Sequence, residues 1–162
     1  MIAYLPFSDF FVEQNIKYEC SCCTIEHNQF DFWIGEWNVY DTLDNLVGEN
    51  TIASIQDHCI IEENWISKSG TGTSYNYFDK ADSTWNQVWV DNKGRPLVLK
   101  GRFDDGKMIL RSKLTKGQKI KEFYNQITWQ KMPDETVVQT WEALDPNLRS
   151  IAVIFKGIYK KK

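Results

Sequence analysis

The chain has 162 residues, a length that fits one domain and leaves little room for two. Hydrophobic residues make up 42 % and charged residues 25 %, which excludes a disordered or fibrous chain, and no apolar run approaches the roughly 18 residues of a membrane helix. Nineteen Lys and Arg stand against 22 Asp and Glu without a basic stripe, so electrostatic capture of nucleic acid or of an anionic membrane surface is not expected.

In chain order, Met1 to Val12 is apolar but has no Lys or Arg ahead of it and carries Asp9 inside it. It does not read as a secretory signal, and the cytoplasm is the favoured compartment. Residues 1–29 lack sustained periodicity and read as an extension or cap beside the main body. Three of the four cysteines, Cys20, Cys22 and Cys23, crowd into this segment while Cys59 stands alone, too few and too clustered for a disulfide scaffold. Cys20-x-x-Cys23 with His27, His58 and Cys59 offers zinc donors, yet no second paired motif follows. Reduced thiols are the expectation, with a bridge from Cys59 to Cys22 or Cys23 as the alternative.

From Phe30 onward the pattern changes, and residues 30–162 read as a β-barrel domain. Short segments rich in Val, Ile, Thr, Tyr, Phe and Trp alternate with turn clusters such as Leu43-Asp44-Asn45, Ser69-Gly70-Thr71-Gly72, Asp91-Asn92-Lys93-Gly94, Asp104-Asp105-Gly106 and Asp145-Pro146-Asn147. The breaks delimit about ten strands and no long helix, and connections this short join antiparallel neighbours. An open sheet of that size would expose two edges; closing it into a single antiparallel up-and-down barrel removes them.

A barrel sorts each strand into inward and outward faces at period two. Trp85, Gln87 and Trp89 share one face, as do Val137, Gln139, Trp141 and Ala143. Leu97, Leu99, Gly101 and Phe103 oppose Lys100 and Arg102; Cys59, Ile61, Glu63 and Trp65 form another inward set; and Met108, Leu110, Ser112 and Leu114 oppose Arg111 and Lys113. Polar groups thereby fall among aromatics inside: Glu63, Gln87, Gln139, Asn76 and Asn125. They either satisfy one another in a filled core or line a cavity. A barrel of about ten strands is wider than the eight that side chains can just fill, which favours the cavity.

The segment Phe30-Asp31-Phe32-Trp33-Ile34-Gly35-Glu36-Trp37 carries a Gly-x-Trp element that resembles the start of the lipocalin barrel. Together with Cys59–Trp65, Ser74–Phe78, Trp85–Asp91, Val138–Glu142 and Phe155–Tyr159, it resembles a bacterial calycin-like family of unknown function, related in barrel type to lipocalins and nitrobindins, over about residues 27 to 160. The resemblance implies a ten-stranded barrel without naming an activity. It also implies that Trp37 closes one barrel end under a basic residue near the last strand, for which Arg149 and Lys156 are the candidates. Nitrobindin-like barrels hold haem through an axial His; here His58 is expected to point outward and His27 to reach only the barrel's mouth.

The functional expectation is binding of a small, hydrophobic or amphipathic molecule inside the barrel without catalysis, by a monomer or homodimer. The expected ligand-binding residues are Glu63, Trp65, Asn76, Gln87, Trp89, Asn125, Gln139 and Trp141, with no metal or cofactor. The alternatives are haem binding, an enzyme using Glu63 as general acid or base, and an interaction module using outward Tyr and Ile. No Gly-x-Ser-x-Gly or Ser/His/Asp set supports nucleophilic catalysis, and Gly70-Thr71-Gly72 lacks the following helix of a phosphate cradle.

Overall fold

A computed structural model describes residues 20–117 and 121–162; the apolar stretch Met1 to Val12 lies outside the described residues. A 3-10 helix, His27–Trp33, leads into ten strands: β1 (Gly35–Tyr40), β2 (Leu46–Ile55), β3 (Ile60–Ser67), β4 (Gly70–Asp79), β5 (Thr84–Asp91), β6 (Pro96–Asp104), β7 (Lys107–Arg111), β8 (Tyr124–Lys131), β9 (Val137–Leu144) and β10 (Ser150–Lys161). Each strand pairs antiparallel with its sequence neighbours, and β10 returns to β1 to close the barrel. Among the described residues, no helix is long and apolar enough to cross a membrane.

Turn chemistry sets the strand ends. The carboxylates of Asp41, Asp91 and Asp145 each accept two backbone N–H bonds, from the residues two and four positions on, at 2.8–2.9 Å. This is the local side-chain pairing that lets Asp initiate a turn. Asp44, Ser83, Asp105 and Gly106 take the positive φ that tight hairpins demand. Of the turn cluster Ser69-Gly70-Thr71-Gly72, Ser69 lies in the turn between β3 and β4, while Gly70 to Gly72 begin β4. The strand expected over Met108 to Leu114 ends at Arg111. There the Ser112 hydroxyl accepts the Asn125 N–H at 2.9 Å, and Leu114 is exposed rather than inward.

One end of the barrel is sealed. The helix inserts Phe30 and Trp33, both fully buried, with Phe30 stacked on Trp33 at 4.9 Å and edge-on to Trp129 and Trp85 at 5.2 and 5.7 Å. Trp37 Nε1 donates to Trp33 O at 2.8 Å, joining helix to first strand. The cation over Trp37 is Lys161, 4.3 Å from the ring centroid; Nζ also donates to Ile34 O at 2.8 Å. Arg149 pairs with Asp145 in the β9–β10 turn and Lys156 is exposed, so neither expected candidate caps the ring. Gly35 makes the clasp possible: its φ is +143°, and a Cβ there would stand 2.3 Å from Lys161 Nζ. The spacing Gly-x-Trp thus reserves room for the lysine beside the indole.

The cysteines are not the reduced thiols expected, and one of the two bonds is the bridge from Cys59 to Cys22 that stood as the alternative. Cys20 pairs with Cys23 and Cys22 with Cys59, which leaves no thiol for a zinc site. The reason is geometric: the turn between β2 and β3 brings Cys59 beneath the segment that precedes the helix, where Lys80 Nζ also reaches Ser21 O at 2.6 Å. Such bonds persist in oxidising surroundings.

Replacing Trp37 by Ala is expected to lower the unfolding free energy by about 3–5 kcal/mol in urea titrations; a loss under about 1 kcal/mol would show that the sealed end does not depend on this indole. The Cys22–Cys59 bond spans a separation of 37 residues, and Cys59→Ser is expected to cost about 2–4 kcal/mol under non-reducing conditions. An identical transition midpoint for the two proteins would mean that the bond does not form.

Candidate functional site

Among the described residues, the opposite end is open. Period-two alternation carries Trp65 on β3, Trp89 on β5 and Trp141 on β9 to the inner face of the wall, where all three are half-buried and border the same space. Two of the rings have space because the neighbouring strands carry no side chain. A Cβ at Gly48 would stand 2.4 Å from Trp65 Cη2, and one at Gly72 would stand 2.1 Å from Trp89 Cζ2. The indoles therefore lean along the wall instead of filling the centre. Below them lies a cavity of about 300 Å³ lined by Glu63, Trp65, Gln87, Trp89, Leu97, Ile127, Gln139, Trp141, Ile154, Phe155, Tyr159 and Ser69. An adjoining space of about 410 Å³ forms the mouth, with Asp91, Lys93, Arg95 and Asn125 at its rim.

The cavity floor is a continuous polar network. Glu63 is buried and accepts from Asn50 Nδ2 at 2.8 Å and from Ser74 Oγ at 2.6 Å. Asn76 donates to Ser74 Oγ and to Ile61 O, both at 3.0 Å, and accepts from Gln87 Nε2 at 2.8 Å. On the other side Asn50 Nδ2 reaches the Tyr159 hydroxyl at 3.4 Å, and that hydroxyl donates to Gln139 Oε1. Six strands contribute, and their register fixes which groups meet: Asn76 lies directly across from both Ile61 and Gln87, and Glu63 across from Ser74.

Every expected site residue faces inward, but they divide. Glu63, Trp65, Gln87, Trp89, Gln139 and Trp141 line the cavity. Asn125 is spent at the mouth, accepting from Trp141 Nε1 at 2.9 Å, which fixes the indole. Asn76 sits behind the lining, buried and satisfied. Sequence reasoning missed Asn50, Ser74 and Tyr159 of the network, together with Ile154 and Phe155. Tyr159 follows Gly157 at period two in a strongly apolar strand, which was the available signal.

Among the described residues, no Lys, Arg or His lines the cavity. His58 sits in the exposed β2–β3 turn, 3.1 Å from Ser54 Oγ, and His27 packs edge-on to Phe78 at the sealed end. Neither imidazole is placed to serve as an axial ligand inside. With only amides and hydroxyls around it, Glu63 is dominated by burial, which pushes its carboxyl up to about 7 against the two hydrogen bonds it accepts. Burial, and then the neighbouring Glu63, push the Tyr159 hydroxyl well above its ordinary value, so it stays a neutral donor.

Comparison with known proteins adds nothing to this geometry. No family model matches the chain, and no curated protein does.

Because the Glu63 carboxyl binds its proton more tightly folded than unfolded, its contribution favours the fold at low pH and is lost as pH rises from about 4.5 through about 7. Glu63→Gln keeps the shape without the charge, and the Ser74 hydroxyl can turn to accept from the new amide. The variant is expected to be more stable than the parent by about 1–3 kcal/mol at pH 8 and close to it at pH 5, measured by urea melts. A variant less stable at both values would mean that the carboxylate is compensated.

Proposed function

We propose that the barrel binds a small, largely apolar molecule in its interior and does not transform it. The observation that carries this reading is the unequal filling of the two barrel ends. Phe30 and Trp33 plug one end completely, whereas at the other Gly48 and Gly72 draw two indoles against the wall and leave about 300 Å³ between them. A core built only for stability gains from filling such a space. Apolar walls with a few convergent polar groups are the ordinary make-up of a small-molecule site. The closed ten-stranded antiparallel topology is consistent with the calycin-like barrel that the opening motif resembles, and this supports the reading by architecture.

The volume sets the scale of the occupant: one or two fused rings, or a short chain, rather than a long lipid. Gln139 Oε1 accepts from the Tyr159 hydroxyl, and Gln87 Nε2 donates to Asn76 Oδ1. The NH2 of the first and the carbonyl oxygen of the second have no partner among the described residues, and these amides would orient a ligand.

The neutral dye N-phenyl-1-naphthylamine is expected to bind saturably, with its emission rising under excitation of the tryptophans. Trp89→Ala is expected to weaken binding by about tenfold while the melting temperature moves by no more than a few degrees, since this ring is half-buried at the rim. No saturable signal in the parent protein would remove the proposal.

A further inference from the structure

Within that binding reading, we propose that the ligand is an organic cation: an ammonium group on a small apolar body, its charge meeting Glu63 and its hydrocarbon meeting the indoles of Trp65, Trp89 and Trp141. The argument starts from an imbalance at the cavity floor. Glu63 is an acid buried among neutral partners, and none of the cavity's lining residues among those described is basic. A buried carboxylate without a counter-charge is costly, and it relieves that cost either by holding a proton or by meeting a cation.

Two acceptors near Glu63 lack hydrogen bonds, one behind the lining and one on it. Asn50 is 1 % exposed, and its Oδ1 is a buried acceptor without a partner among the described residues. Gln87 lines the cavity, and its Oε1 has no hydrogen-bond partner among the described residues, its amide having donated to Asn76. On the cavity lining itself, Glu63 and Gln87 Oε1 thus present acceptors that a donor group can meet, beside the free NH2 of Gln139. An ammonium has three N–H bonds and no acceptor.

The walls suit the same group. Indole faces attract cations within about 6 Å of the ring centroid, and more strongly once desolvated. The protein uses this contact itself at the sealed end, where Lys161 lies 4.3 Å from the Trp37 centroid. The charged groups nearest the mouth are Asp91, Lys93 and Arg95; Asp91 is bonded to Arg95, and Lys93 is exposed in the β5–β6 turn. The groups that touch Glu63 or its network from the other strands, Asn50, Ser74, Gln87, Gln139 and Tyr159, are neutral. A fatty acid or other carboxylate would set a second negative charge beside Glu63 and is disfavoured.

The test compares three matched probes as competitors for bound N-phenyl-1-naphthylamine: 2-(1-naphthyl)ethylamine, 2-(1-naphthyl)ethanol and 1-naphthylacetate. At pH 8 the amine is expected to bind about tenfold tighter than the alcohol, and the carboxylate weakest. Burial holds Glu63 partly protonated near neutrality, so amine binding displaces that proton and its affinity should rise by about tenfold or more between pH 5 and pH 8, while the alcohol's stays level. Glu63→Gln should bring the amine down to the alcohol; if that variant fails to fold, the pH profile of the parent protein decides alone. Equal displacement by all three probes, or an amine affinity flat in pH, overturns the cation while leaving the cavity reading intact. Failure of the dye and of every probe, checked by calorimetry, removes both.

Discussion

Ten strands closed into a cylinder enclose more space than their own inward side chains fill, and that surplus must be met at every level along the axis. At one end it is met by a second layer: the helix turns Phe30 and Trp33 into the bore, where they pack on Trp85 and Trp129. The clasp of Trp37, Lys161 and Gly35 sits where β1 meets β10, the contact on which closure depends. Only four residue pairs join those two strands, from Trp37 to Tyr40, so the helix and the lysine reinforce the shortest seam of the barrel. At the other end no second layer is present among the described residues, and the surplus remains as space.

A wide bore also decides what a polar side chain inside it can be. In a narrow barrel Glu63 would be forced against a facing wall; here its partners come from the strands beside it, through Asn50 and Ser74, and the side facing the axis is left open. The network that holds Glu63 is made of groups that cannot change charge near neutrality. It therefore fixes the position of the carboxyl while doing little to stabilise its ionised form.

Much of this was legible in the sequence because period two is a local property. Trp85-Asn86-Gln87-Val88-Trp89 declares its own faces without reference to any other strand, and the same holds for the segments around Glu63 and Gln139. What was not legible depends on register. The meeting of Asn76 with Gln87, or of Tyr159 with Gln139, follows from pairings between strands that neither segment encodes alone. Lys161 was overlooked in favour of Arg149 and Lys156 because antiparallel pairing sets the far end of β10 beside Trp37. Gly72 imitated part of the turn beside it, since a residue that makes room for an indole looks in the sequence like one that bends the chain. The cysteine pairing required knowing that the β2–β3 turn lies under the segment before the helix.

The division of the barrel along its axis separates two demands that compete in most small proteins. Of the fourteen fully buried hydrophobic residues in the main cluster, only Ile127 and Tyr159 also reach the cavity. Residues that anchor the cylinder and residues that would choose its contents are therefore largely different sets. Exchanges at Trp89, Leu97 or Ile154 would re-line the chamber at small thermodynamic risk, so the same framework could be turned to many contents by changing a handful of positions near its rim, which makes it a natural starting scaffold for designed receptors.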